Sequence, residues 1–231
     1  NGSVLPTQEL CDYILKALPD NTLLVKGDTP IVLKTTQSTA KAFLTGEKKV
    51  PAVLEFDSDC VEIEYPWDLF KKNGAALAAD FDLLTEGKTS QPLSATNKVI
   101  GDASQIFLEE GAWVECAMLN TENGPIYIGK NATVMEGSII RGGFALCESS
   151  TTKMGTKVYG PTTIGPHSKI GGEVNNSVVL GYTNKGHDGF LGNSVLGEWC
   201  NLGADTNNSN LKNNYGEVRV WNYGCKSFNY T

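Results

Sequence analysis

Every sixth residue from Ile128 to Ile170 reads Ile128, Val134, Ile140, Leu146, Thr152, Val158, Ile164 and Ile170, and seven of these eight are aliphatic. Four positions after each stand Ala132, Ser138, Phe144, Ser150, Thr156, Thr162, Ser168 and Val174, of which six are small. An α-helix repeats at about 3.6 residues and a strand at about 2, so neither yields a period of six. A parallel β-helix does. Each short strand forms one side of a prism, the aliphatic side chain fills the interior, and the small residue sits where the backbone turns the corner. Gly129, Gly165 and Gly171 directly follow their aliphatic residue, where glycine permits unusual dihedrals. The period breaks after Ile170 and resumes, shifted by two, at Phe190, Leu196 and Leu202. The segment between, GGEVNNSVVLGYTNKGHDG, is expected to be a loop that leaves the prism, and His187 stands at its end. Irregularities of a solenoid are favoured places for a site.

Before about Val99 the pattern is mixed. PTQELCDYILKAL predicts a helix capped by Thr7, with Leu10, Ile14 and Leu18 on one face. NTLLVKGDTPIVLK predicts a strand, a Gly-Asp turn and a second strand. The same Gly27-Asp28 pair is read as a hairpin turn rather than a metal-binding aspartate. TTQSTAKAFLTGE predicts a helix ending near Gly46, while VPAVLEFDSD and VEIEY predict strands. PWDLFKKNGAALAADFDLL predicts a helix with Pro66 in its first turn and an apolar stripe through Leu69, Leu77 and Phe81. TEGKTSQPLSAT is a polar linker. The expected organisation is therefore mainly β: a partial α/β region over 1–84, a linker over 85–98, and a β-helix over 99–231.

Composition narrows the function classes. A net charge of -7 argues against nonspecific nucleic-acid binding. No apolar run approaches the ~20 residues of a membrane helix. The first residues lack the basic start and apolar stretch of a signal peptide, and with no initial Met the chain is read as a piece of a longer protein. The six cysteines are scattered without C-x-x-C spacing, so no metal site is expected, and the thiols read as reduced in a cytoplasmic protein. His167, within the regular hexads near a corner, reads as structural.

The stretch from Gly186 to Thr206 follows the pattern GH-x-x-x-LG-x-x-x-x-G-x-x-x-N-x-GA-x-T. It is similar to the acetyltransferase segment of the bifunctional N-acetylglucosamine-1-phosphate uridyltransferases (GlmU-like). In these a pyrophosphorylase domain precedes a left-handed parallel β-helix of hexapeptide repeats. PWDLFKKNGAALAADF resembles their junction helix, and residues 141–192 resemble divergent bacterial sugar nucleotidyltransferases. The resemblance covers about residues 60–231 and is specific around 185–210.

The resemblance implies roles for particular residues. His187 matches the general base, Asn201 a sugar-phosphate-binding asparagine, and Asn210 a second site asparagine. Ala204 matches a backbone amide beside the thioester. Phe190 and Leu211 stand where the acetyltransferases have tyrosines, and Asp205 replaces a glycine. Acetyl-CoA is a polyanion, and Lys153, Lys169, Lys185 and Lys212 are its expected contacts. The implied activity is acetyl-CoA-dependent acetylation of an amino-sugar 1-phosphate by a homotrimer. An imidazole that takes the amine proton contributes typically ~10²–10⁴-fold, and an amide N–H facing the oxyanion contributes further.

Two other functions stay open. One is a sugar-1-phosphate nucleotidyltransferase whose β-helix only oligomerises or regulates. Mg²⁺ would enter only with a full-length nucleotidyltransferase domain, because the chain carries no G-x-G-T-R phosphate loop. The other is a non-catalytic β-helix assembly module, for which the altered Phe190, Asp205 and Leu211 speak.

Overall fold

A computed structural model describes residues 1–47, 52–208 and 211–230. The chain divides into two compact units, Asn1–Pro66 and Trp67–Thr231.

In the first unit, helix α1 (Gln8–Lys16) starts where Thr7 Oγ1 accepts the Leu10 N–H. The cap satisfies an amide that the first helical turn leaves without a partner. Strands β1 (Thr22–Lys26) and β2 (Thr29–Lys34) pair antiparallel across Gly27, whose φ of +56° suits the turn. Helix α2 (Gln37–Leu44) begins at Thr36, and β3 (Ala52–Glu55) pairs parallel with β1, giving the order β2-β1-β3. Leu10, Leu18, Leu24, Ile31 and Phe56 form the core, with Val4 at its edge. The strand expected over VEIEY is reduced to one bridge, Val4 to Glu62. Val50 and Pro51, at the start of VPAVLEFDSD, lie outside the described residues.

The second unit opens with helix α3 (Asp68–Thr85), which the sequence groups with the first region and which the compact division places with the β-helix. The β-helix has three parallel faces. The first is built from Lys98–Ile100, Met118–Asn120, Ile139–Arg141, Lys157–Tyr159, Glu173–Asn175 and Phe190–Gly192. The second runs from Ile106–Leu108 through Ile126–Ile128, Phe144–Leu146, Thr162–Ile164 and Val178–Val179 to Val195–Leu196. The third runs from Trp113–Val114 through Thr133–Val134, Thr151–Thr152 and Lys169–Ile170 to Asn184–Lys185. Each strand pairs in parallel with its counterparts in the neighbouring coils, so the hydrogen bonds run along the prism.

The eight residues of the six-residue series are all buried, and so are the eight that follow them by four. Parallel β structure closed into a prism turns these positions to a buried interior, and aliphatic residues fill the six-residue series but for Thr152. Helix α3 lies on the second face. Thr163 Oγ1 donates to Asn73 Oδ1 at 2.9 Å, Leu77 and Phe81 are buried, and a Cβ on Gly74 would stand 2.9 Å from Pro161 Cγ. Glycine at 74 is therefore what lets the helix approach this closely.

Three expectations are corrected. First, the segment over 171–189 does not leave the prism. It contains Glu173–Asn175, Val178–Val179 and Asn184–Lys185, one strand for each face. The irregularity is a shortened coil. On the third face Val114, Val134, Thr152, Ile170 and Lys185 stand one above another, each paired with the next. The steps from Val134 to Thr152 and from Thr152 to Ile170 are equal in length, and the step from Ile170 to Lys185 is the shortest of the column. Second, the resumed register places Leu191 inward, opposite Val174, and turns Phe190 outward. Third, Gly129, Gly165 and Gly171 do not take positive φ. Their reason is proximity: a Cβ at any of them would lie within 3 Å of backbone in the next coil. Left-handed backbone falls instead on other corner residues, among them Asn131, Ser149, His167, Tyr182 and Trp199.

Candidate functional site

His187 lies on the corner 186–189, which joins the third face to the first between Asn184–Lys185 and Phe190–Gly192. The corner rests on two glycines. A Cβ at Gly171 would stand 2.6 Å from the Gly186 carbonyl oxygen, and one at Gly172 2.7 Å from that of Gly189. From above, the Asp205 N–H donates to the Asp188 carbonyl at 3.1 Å. From within, Lys185 Nζ donates to the carbonyls of His187 at 2.7 Å and Gly171 at 2.9 Å. The His187 side chain is exposed.

Lys185 departs from the expected role of acetyl-CoA contact. It is 2 % exposed and occupies the inward column of Val114, Val134, Thr152 and Ile170. Burial holds its ammonium below the usual lysine range, with the Asp188 carboxylate working in the other direction. A lysine reads as a surface residue in any hydrophobic pattern. The one sequence signal for its interior position is that it stands where the third face calls for an inward residue.

The structure brings four of the six sequence-derived site residues onto the last two coils. Asn184 bridges Asn201, so in the upper coil Ala204 holds the position that His187 holds in the lower one. Ala204 is exposed. Asn201 Oδ1 accepts from Asn184 Nδ2 at 2.7 Å, an amide rung between coils like that from Asn176 Nδ2 to Asn193 Oδ1. Phe190 lies on the outward side of the first face. Its N–H donates to Asn207 Oδ1 at 2.7 Å and its carbonyl accepts from the Asn208 N–H. Lys212 is exposed in the segment after the coils, where its Nζ donates to the Glu217 carbonyl. Asn210 lies outside the described residues. Asp205 has φ +60°, a left-handed backbone that aspartate tolerates better than most residues.

Two further features frame the corner. The Lys153 side chain passes beside the His187 turn, with its Cγ 4.0 Å from where a Cβ of Gly186 would be. Lys169 is exposed on the third face. The His167 ring stacks on Tyr182, with centroids 4.9 Å apart, and Tyr182 stacks on Trp199 at 4.6 Å. His167 thus belongs to a ring column at a different corner from His187. Two cavities, of 470 and 170 Å³, border α3 and not the His187 turn. Among the described residues no group of three His, Cys, Asp or Glu could hold a metal ion, and no helix is long and apolar enough to cross a membrane.

The hydrogen-bond ladder and the buried columns define a parallel β-helix protein preceded by a small α/β unit. Its first part is similar to a known family: a family model described as sugar nucleotidyl transferase matches residues 1–89. No curated protein matches the chain. Among solved structures it is similar to a point mutant of GDP-perosamine N-acetyl transferase from Caulobacter crescentus in complex with CoA and GDP-perosamine. The identity is 10%, the match covers 83% of this chain and 91% of that one, and the TM-score is 0.32. At that distance the likeness defines neither the fold nor the activity of this chain.

Proposed function

We propose that this chain is a transferase of sugar-nucleotide metabolism whose β-helix moves an acetyl group from acetyl-CoA to the amine of a sugar phosphate. The observation that carries this reading is the His187 corner: an exposed imidazole on a turn whose backbone is held from below, within and above, with the Ala204 backbone one coil over it. His187 takes a proton from the sugar amine as the nitrogen attacks the thioester carbonyl. The Ala204 N–H stabilises the oxyanion, the C–S bond breaks, and the CoA thiolate leaves with the proton returned from the imidazole. Lys153 and Lys169 receive the CoA phosphates, joined by Lys212 from the following segment. Asn201, Phe190 and Asn210 bind the sugar. The corner is open surface, so a second prism supplies the opposite wall, and the assembly is a homotrimer.

The test is acetyl-CoA turnover with glucosamine 1-phosphate and a panel of amino-sugar phosphates. His187→Ala should lower kcat by ~10²–10⁴-fold without changing the melting temperature, while His167→Ala should leave kcat unaltered. Equal rates for wild type and His187→Ala overturn the role of His187.

A second reading has its own support in the family model over residues 1–89. In it a longer protein transfers a nucleotidyl group with Mg²⁺, and the β-helix assembles or regulates. Pyrophosphate release from a labelled nucleoside triphosphate by the full-length protein, without acetyl transfer, selects that reading.

A further inference from the structure

A lysine sealed inside a β-helix is costly, because an ammonium loses its hydration there and the hexad places aliphatic residues at such positions without difficulty. Ile170 fills the same column one coil below. Leu202 follows in the coil above, since its N–H donates to the Asn184 carbonyl. An apolar residue at 185 would pack as they do.

What Lys185 does instead is specific. Its Nζ gathers two carbonyls from two stacked corners, those of Gly171 and His187. The coil from Ile170 to Lys185 is shorter than the two equal coils before it, from Val134 to Thr152 and from Thr152 to Ile170. Part of the contraction falls at the Gly171–Gly172 corner, directly beneath the full-length corner of His187, and the His187 carbonyl turns to Lys185 Nζ as its donor, which a partly buried carbonyl needs. The side chain on the same residue is exposed. The adjoining carbonyls meet the neighbouring coils: Asp188 accepts from the Asp205 N–H at 3.1 Å and Gly189 from the Glu173 N–H at 3.3 Å.

We infer that Lys185 is a positioning residue for His187: from inside the prism its ammonium fixes the backbone of the turn that presents the imidazole. This rests on the acetyl-transfer reading for its kinetic consequence, and not for its structural one. Lys185 touches no substrate, and its effect passes through the His187 carbonyl.

Lys185→Met keeps a flexible side chain of similar length and removes all three donors. The variant should fold with a melting temperature close to that of wild type, because relief of the buried ammonium offsets the two carbonyls left without this donor. Acetyl transfer should nevertheless fall ~10–100-fold in kcat, the scale of a misplacement of about 1 Å, with KM for acetyl-CoA changed less than about 2-fold. Amide exchange gives an independent readout. The Asp205 and Glu173 N–H groups, which donate to carbonyls of the turn, should exchange at least about tenfold faster in the variant, an opening of local rather than global structure. Amides of the middle coils such as Thr151 should be unchanged.

Unaltered exchange at Asp205 and Glu173 overturns the inference, and so does wild-type kcat in a chain that turns over. If the wild type shows no acetyl transfer, the catalytic reading fails while the exchange comparison still decides the clamp. If Lys185→Met does not fold, the wild type alone is decisive. Its Nζ protons should be protected enough to appear as a slowly exchanging lysine signal in a ¹H–¹⁵N spectrum at pH 7, and a signal exchanging as fast as those of surface lysines overturns the clamp.

Discussion

The middle coils and the last coils share one hydrogen-bond ladder but solve different problems. Between Ile128 and Ile170 the six-residue series is Ile, Val, Leu and one Thr, the coils are of one length, and nothing polar is asked of the core beyond Ser and Thr hydroxyls bonded at the corners. From Gly171 onward the coils are shorter and unequal, stepping from Ile170 to Lys185 and from Asn184 to Asn201, and the interior holds an ammonium. The middle is specified by volume, the end by hydrogen bonding. The proposed site lies in the second kind of structure, where backbone groups are steered individually.

The difference can be broken from either side. The largest effect is expected for Ile164→Ala, which leaves a cavity in the aliphatic column and should cost about 2–5 kcal/mol in urea unfolding. Lys185→Met, in the same interior, should cost much less, because relief of the buried ammonium offsets the two carbonyls that lose their donor. Equal losses for the two would erase the distinction. Next comes Gly172→Ala. The added Cβ meets Asp188 and Gly189 backbone under 3 Å away, at a φ of +73°, and should cost about 1–3 kcal/mol. Gly155→Ala serves as its control, because it has a similar φ but open space around its Cβ position. A smaller loss follows from Tyr182→Ala, which interrupts the column of His167, Tyr182 and Trp199 at two ring contacts, each worth about 0.5–1.5 kcal/mol at most on so exposed a corner.

The smallest effect is a slope with pH. Lys185 has its folded-state value below that of the unfolded chain, so between those two values the unfolded chain binds more protons and stability rises as pH increases. Burial raises the Cys147 thiol and, with Glu109 beside it, the Tyr127 phenol. These work oppositely, lowering stability as pH passes their unfolded values. The Lys185 contribution is therefore isolated as the difference between wild-type and Lys185→Met denaturation profiles from pH 7 to the ordinary lysine range. Parallel profiles would show that the lysine is not desolvated.

These contrasts also explain what can be read from the sequence. The hexad residues from Ile128 to Ile170 are all interior, because a prism with constant coil length turns spatial columns into a fixed spacing along the chain. The break after Ile170 is visible too, but its meaning is not. Inward positions continue at Val174, Val179, Lys185 and Leu191, so the spacing contracts twice, at Val174 and at Val179, before returning to six. Counting by sixes across that contraction produces an apparent loop and assigns Phe190 to the interior. The lysine deepens the error, since only the three-dimensional demand of carbonyls from two stacked corners explains a charge at 185. Of the proposed site, the resemblance singles out His187, which is exposed, and Ala204, which stands one coil over it. It misjudges Lys185, whose role depends on where the backbone carbonyls point.

The shortened coil shows that a β-helix of this kind does not measure its own length. The turn of the prism between Ile170 and Lys185 uses less chain than its predecessors, yet every strand in it still finds its parallel neighbour, because pairing is set between coils and the corners absorb the deletion. Corner segments can therefore be trimmed or extended one at a time without re-registering the rest. Such a scaffold separates the invention of new surface from the upkeep of the fold.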